Sequence, residues 1–202
     1  MALSTGFLAL DRALGGGLPA GEIAEFVGAP AASLAALALQ LIARAQAANG
    51  LAVYLDLGQG FDAAAAEASR LDLNALILVR PADFDQGLAL LKEFALGGLD
   101  LVAFDLPAGA LAEPRPAQLL AETLGRIAAP LRRANCSLLF LSLLPAGVAY
   151  PALSPLPACA ALRLLIRPGA QPAAEILKNP AGPAGVRVPL ALTGTQKPAA
   201  AL

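Results

Sequence analysis

An apolar run from Ile23 to Val27 ends on Gly28 and opens, through Ala29-Pro30-Ala31-Ala32-Ser33-Leu34-Ala35, into the most regular helical pattern of the chain. Strand, glycine and helix in that order are the setting of a phosphate-binding loop, G-x-x-x-x-G-K-[ST]. There glycine lets the backbone wrap, lysine neutralises the phosphates and the hydroxyl holds magnesium. Gly28 fills the first position, but Ser33, Leu34 and Ala35 fill the last three. The layout of a nucleotide site is kept while its cation and metal-binding hydroxyl are gone, so no cofactor is expected. Cys136 and Cys159 are too few for a disulfide framework or a zinc site, and the chain has no histidine. No catalytic residue and no metal site is expected.

The 202 residues suffice for one sizeable α/β domain. The chain is 57% apolar and 14% charged, a surplus that suggests surface covered by a partner or a second copy. Polar residues interrupt every long apolar stretch, and the N-terminus has no basic segment before an apolar core. Neither a membrane span nor a signal peptide is expected, and a cytoplasmic location is the default. The net charge of −1 is unevenly placed: before residue 111 there are 12 acids and 5 bases, and from 111 onward 3 acids and 9 bases. The two halves therefore carry formal charges of −7 and +6.

The elements that would position these residues follow from periodicity and punctuation. Phe7, Leu8, Leu10 and Leu14 share one helix face, with Ser4 or Thr5 as N-cap and Gly15-Gly16-Gly17 as the stop. After the strand ending at Val27 comes a helix over 33–48. Strands are expected at 51–57, 76–79, 99–104 and 137–144, with helices at 62–70, 83–94 and 118–133 between them, the last interrupted or kinked near Pro130. Asp62 caps the first of these. Two Pro-rich loops, 107–116 and 145–157, follow the fourth and fifth strands. Strands at 161–167 and 174–178 turn at Pro168-Gly169, and one more is expected at 186–192. Alternating strands and helices predict a three-layer α/β/α fold with a mostly parallel central sheet and antiparallel edge strands near the C-terminus. The core domain spans 1–192, with 193–202 as a disordered tail.

The run STGFLALDRALGGGLPAGEIAEFVG, Ser4 to Gly28, resembles the start of the core of RecA-type recombinases. The resemblance continues through LALQ (37–40), YLD (54–56), LVAFD (101–105), the LLFLSLL strand and Leu177-Lys178-Asn179. It implies the RecA-like fold and allows the family's functional positions to be carried over. The phosphate lysine falls on Leu34 and the magnesium hydroxyl on Ala35. The catalytic glutamate falls on or near Gly58, and the glutamine that senses the γ-phosphate on Leu143. The acid ending the fourth strand is kept as Asp105, expected to cap the next turn. The lysine-asparagine pair is kept as Lys178-Asn179, followed by Pro180 instead of a second lysine. ATPase activity is not expected, since phosphoryl transfer depends on positioning and charge stabilisation.

The two loops that grip single-stranded DNA in such recombinases match 107–116 and 145–157, which hold one base, Arg115. DNA binding is therefore expected to be weak or indirect. The chain begins at the core, without the family's polymerisation segment, so an autonomous recombinase is not expected. The patterns TGF-x-ALD-x-AL-GGGLP-x-G and SPLPACAALRLLIRP…EILKNPAG resemble ImuA, an accessory of the bacterial SOS mutagenesis cassette. That resemblance implies a non-catalytic role in translesion synthesis, with RecA or an ImuB-type polymerase-like protein as partner and self-association as a further option. The alternatives are a SulA-like inhibitor of FtsZ and a weakly DNA-binding RecA paralogue. The contact surface is sought among the bases Arg126, Arg132, Arg133, Arg163, Arg167, Lys178 and Arg187.

Overall fold

The leucine- and valine-rich runs of the central strands are buried on both sides, and the alanine- and leucine-rich segments between them become the helices that bury them. The computed structural model describes residues 2–169 and 171–191. In chain order it contains α1 (Leu8–Leu14), β1 (Ile23–Gly28), α2 (Ala31–Ala47), β2 (Ala52–Asp56), α3 (Ala63–Ala68), β3 (Ile77–Val79) and α4 (Phe84–Leu96). There follow β4 (Leu101–Leu106), α5 (Pro114–Ala134), β5 (Ser137–Leu143), α6 (Leu156–Cys159), β6 (Leu162–Arg167), β7 (Ala173–Lys178) and β8 (Arg187–Pro189). One eight-stranded sheet has the order β3-β2-β4-β5-β1-β6-β7-β8. The first six strands in that order pair in parallel. β7 then runs antiparallel to β6, and β8 antiparallel to β7.

Two apolar layers flank the sheet. On one face Leu37, Leu41 and Ile42 of α2 and Leu10 and Leu14 of α1 pack on Phe26, Tyr54 and Leu139. On the other, Leu88 and Leu91 of α4 and Leu120, Leu124 and Leu131 of α5 pack on Val102, Phe104 and Phe140. Phe104 and Phe140 are direct neighbours across β4 and β5, with ring centroids 5.7 Å apart, edge to face. Burying side chains of this size contributes about 1.5–3 kcal/mol each, which makes these layers the main source of stability.

Local chemistry departs from the sequence reading in several places. Ser4 and Thr5 do not cap α1, whose N-cap is Phe7. Both hydroxyls instead donate to the Asp11 carboxylate, at 2.6 Å each, and Thr5 adds its backbone N–H at 2.8 Å. α5 starts at Pro114, inside the expected loop, because proline at the first helical turn has no donor to lose. It also runs through Pro130 without interruption; that residue lies near the helix end, so the lost bond to the Arg126 carbonyl is confined to the last turns. β4 reaches Leu106 and carries Asp105 within the strand, not past its end. The loop after β5 ends in the short α6. The expected tail at 193–202 lies outside the described residues.

Candidate functional site

The turn between β1 and α2 is two residues long, and α2 begins at Ala31. Gly28 has φ +150°, and a Cβ there would fall on the Ile166 carbonyl oxygen of β6. Glycine is thus required here by the close approach of β6. The side chains at the lysine and hydroxyl positions of the motif face inward. Leu34 is 3% exposed and Ala35 5%, and Leu34 belongs to the α1–α2 core layer. Ser33 is buried and donates its backbone N–H to the Pro30 carbonyl at 3.0 Å. Leu34 and Ala35 thus offer neither a cation nor a hydroxyl, and the Ser33 side chain is largely buried.

Leu143, at the end of β5, lines a cavity of about 20 Å³ with Val27, Leu106, Leu111, Ser142 and Tyr150. That volume holds about one water. Ser142 Oγ is buried there without a hydrogen-bond partner among the described residues.

Two acids occupy neighbouring positions on β2 and β4, Asp56 opposite Asp105. Asp56 is fully buried; it takes the Arg80 Nε–H at 2.9 Å and the Phe61 N–H at 3.2 Å. Asp105 accepts a long bond, 3.5 Å, from the Tyr54 hydroxyl. The loop after β2 folds over it: the Gly58 N–H donates to the Asp105 carbonyl at 3.2 Å, and a Cβ on Gly60 would come within 2.8 Å of its carboxylate. Burial, and then the Asp56 charge, push the Asp105 carboxyl up to about 6. Asp105 therefore braces the β2 loop instead of capping the turn that follows it. Burial and both acids likewise hold the Tyr54 hydroxyl neutral, far above its usual range.

A second buried network was hidden within apolar sequence. Glu25, in the middle of β1, is 0% exposed. It accepts Arg163 Nε–H from β6 at 2.6 Å and the Tyr150 hydroxyl at 2.6 Å. The Tyr150 hydroxyl also lies 2.9 Å from Ser154 Oγ, and the Arg163 guanidinium stacks over the Tyr150 ring, 4.9 Å from its centroid. The Pro-rich loop after β5 is pinned to the sheet through this cluster. A charged residue inside an otherwise buried strand was the available signal: Glu25 in IAEFVG and Arg163 in LRLLIR each need a partner.

The seven basic residues do not form one free patch. Arg163 has a side chain only 14% exposed and is committed to Glu25, so it is removed from the contact surface. Lys178 Nζ donates to the carbonyls of Pro157 and Ala158 in α6, and Asn179 donates to the Ala13 carbonyl. Arg132 pairs with Glu22 at 3.1 Å. Arg167 and Arg187 share Glu175. Arg126 and Arg133 are exposed on α5 and make no ion pair among the described residues. Cys136 is buried, and its thiol is pushed up to about 12, chiefly by burial, which leaves it unreactive. Among the described residues no helix is long and apolar enough to cross a membrane, and no cluster of acids and thiols has a metal-holding arrangement.

Comparison with known proteins agrees with this architecture. Residues 1–155 match the RecA N-terminal domain. Similar curated proteins include Protein RecA of Chloroherpeton thalassium, 30% identical over 164 residues that cover 73% of this chain and 46% of the relative. Protein RecA of Rubrobacter xylanophilus is 34% identical over 156 residues, 69% of this chain and 45% of the relative. Protein RecA of Chlorobium limicola is 38% identical over 105 residues, 51% of this chain and 30% of the relative. The chain spans about half the length of the first two. With the match to the RecA N-terminal domain covering more than half of its residues, on a mostly parallel sheet flanked by helices, the chain belongs to the RecA family.

Proposed function

We propose that this chain is a non-catalytic RecA relative that works by protein contact in the DNA-damage response, in the manner of an ImuA-like accessory of translesion synthesis. Its partners on this reading are RecA, an ImuB-type polymerase-like protein, or both. The observation that carries it is the burial of Leu34 and Ala35 in the core, at the positions where a phosphate lysine and a magnesium hydroxyl would stand. A triphosphate there would meet no cation, and drawing it against Leu34 would cost desolvation without a charge-assisted hydrogen bond in return.

Equilibrium dialysis with ATP and magnesium is expected to give no saturable binding; saturable binding overturns the non-catalytic reading. Pull-downs with purified RecA and with an ImuB-type protein are expected to recover at least one of them, and recovery of neither sinks the partner assignment. Deletion of the gene is expected to lower damage-induced mutation frequency. Filamentation on overexpression, with block of FtsZ assembly, would instead mark a SulA-like inhibitor.

A further inference from the structure

Beyond β1 the sheet has two unlike faces. On β6 and β7, Leu164, Ile166, Ala174 and Ile176 are buried in the α1–α2 layer. Alternate residues point the other way, and there Leu165, Ala173 and Glu175 are part-exposed while Arg167 and Arg187 are exposed. Arg167 of β6 and Arg187 of β8 both donate Nε–H to one oxygen, Glu175 Oε2 on the strand between them, at 2.7 and 3.0 Å. Their side chains are 46% and 64% exposed. One carboxylate thus holds two guanidinium groups in place and balances the charge of only one. A guanidinium has five N–H donors, so the orienting bond leaves most of each fork for another acceptor.

Apolar surface lies beside this pair. Leu165 is directly opposite Glu175. Leu177 is 37% exposed where the β6–β7 register slips between Arg163 and Leu164. Lys178, bonded to two carbonyls and, among the described residues, to no carboxylate, adds another cation nearby. The outer strand β8 is three residues long and ends on Pro189, which lacks the donor for strand addition. Strand addition at this edge is thus disfavoured relative to docking on the face of the sheet.

We propose that the β6–β8 face docks an acidic, amphipathic segment of a partner protein: its carboxylate completes the Arg167–Arg187 site and its apolar side chains cover Leu165 and Leu177. This rests on the contact function proposed above and assigns it a surface. A protein segment fits better than a nucleic acid. Two arginines on one carboxylate are fewer cations than a phosphate-tracking groove carries, and leucines stand where bases would need aromatic rings to stack on.

The test uses fluorescence anisotropy at low salt with three labelled probes: a short peptide alternating Asp and Leu, its Asp-Ser counterpart, and oligo-dT. The Asp-Leu peptide is expected to bind most tightly. The double variant Arg167→Gln/Arg187→Gln, its folding checked by circular dichroism, is expected to weaken binding about tenfold, and Leu177→Ser about threefold. Equal peptide binding by wild type and double variant overturns the proposal, as does oligo-dT binding that exceeds the peptide's and disappears in that variant. Pull-downs separate this failure from failure of the functional reading. If RecA or the polymerase-like protein is captured equally by wild type and double variant, the surface is wrong and the function stands. If wild type captures neither but binds the Asp-Leu peptide through the two arginines, the surface stands and the partner assignment fails.

Discussion

Glu25 on β1 and Asp56 on β2 are both fully buried carboxylates in central strands, each with an arginine within hydrogen-bond reach, yet their surroundings differ electrically. Glu25 meets an arginine that is itself nearly buried, and the pair is closed by the Tyr150 hydroxyl and ring. Asp56 meets Arg80, whose side chain is 58% exposed, and has a second acid, Asp105, as its neighbour across the sheet. One cluster is balanced one to one; the other has two carboxylates beside one solvent-facing cation. The balanced cluster fastens a loop. In the unbalanced one burial, and then the Asp56 charge, push the Asp105 carboxyl up to about 6.

Breaking the balanced cluster should have the largest effect. Arg163→Met leaves Glu25 buried without its cation, and urea unfolding should show a loss of about 3–5 kcal/mol. Adding Glu25→Leu should recover most of that, since an apolar pair of similar volume removes the stranded charge. A loss below about 1 kcal/mol for Arg163→Met, in the range of an exposed pair, would erase the distinction between the clusters.

The unbalanced cluster should respond with the opposite sign. Because the folded-state value of Asp105 lies near 6, above the usual carboxylate range, the folded protein favours its protonated form. That contribution to stability is complete below about pH 4 and is lost as pH rises through about 6. Asp105→Asn should therefore match wild type near pH 4 and exceed it at pH 8, by about 1–2 kcal/mol after allowance for its partial exposure. A variant less stable than wild type at pH 8 would show that the acid is held by favourable partners instead.

Smaller changes sharpen the contrast. Tyr150→Phe keeps the ring over Arg163 but removes the hydroxyl, and should cost about 1 kcal/mol in thermal unfolding. It should also speed proteolysis of the 145–155 loop more than that of any other loop. Arg115→Ala breaks an ion pair with Asp85 in which both side chains are more than half exposed. It should change stability by less than about 0.5 kcal/mol and set the baseline for the other variants.

Much of the fold was legible from periodicity and glycine placement. Gly15 does stop α1 in a left-handed conformation, Asp62 does cap α3, and the parallel order of the early strands follows from strand–helix alternation. Element ends were less legible where capping and proline chemistry compete, as at Pro114 and Pro130. The candidate site was only partly legible. Glu25 was read into an apolar run, and Asp56 into a strand, because partners such as Arg163 and Arg80 lie 138 and 24 residues away. Arg163 looked like one surface base among seven for the same reason.

Local chemistry in the sequence determined that Gly28 ends a strand at a phosphate-loop position, with Leu34 and Ala35 where the lysine and the magnesium hydroxyl would stand, since residue type is local information. It also placed an excess of bases in the second half of the chain. Only the tertiary structure decided which of those bases are committed and which remain available. Arg163 is drawn inward by an acid on the neighbouring strand, whereas Arg167 and Arg187 are brought from separate strands onto one carboxylate that cannot balance both. Charge is written residue by residue, but its surplus depends on strand register, which arises only when the sheet assembles.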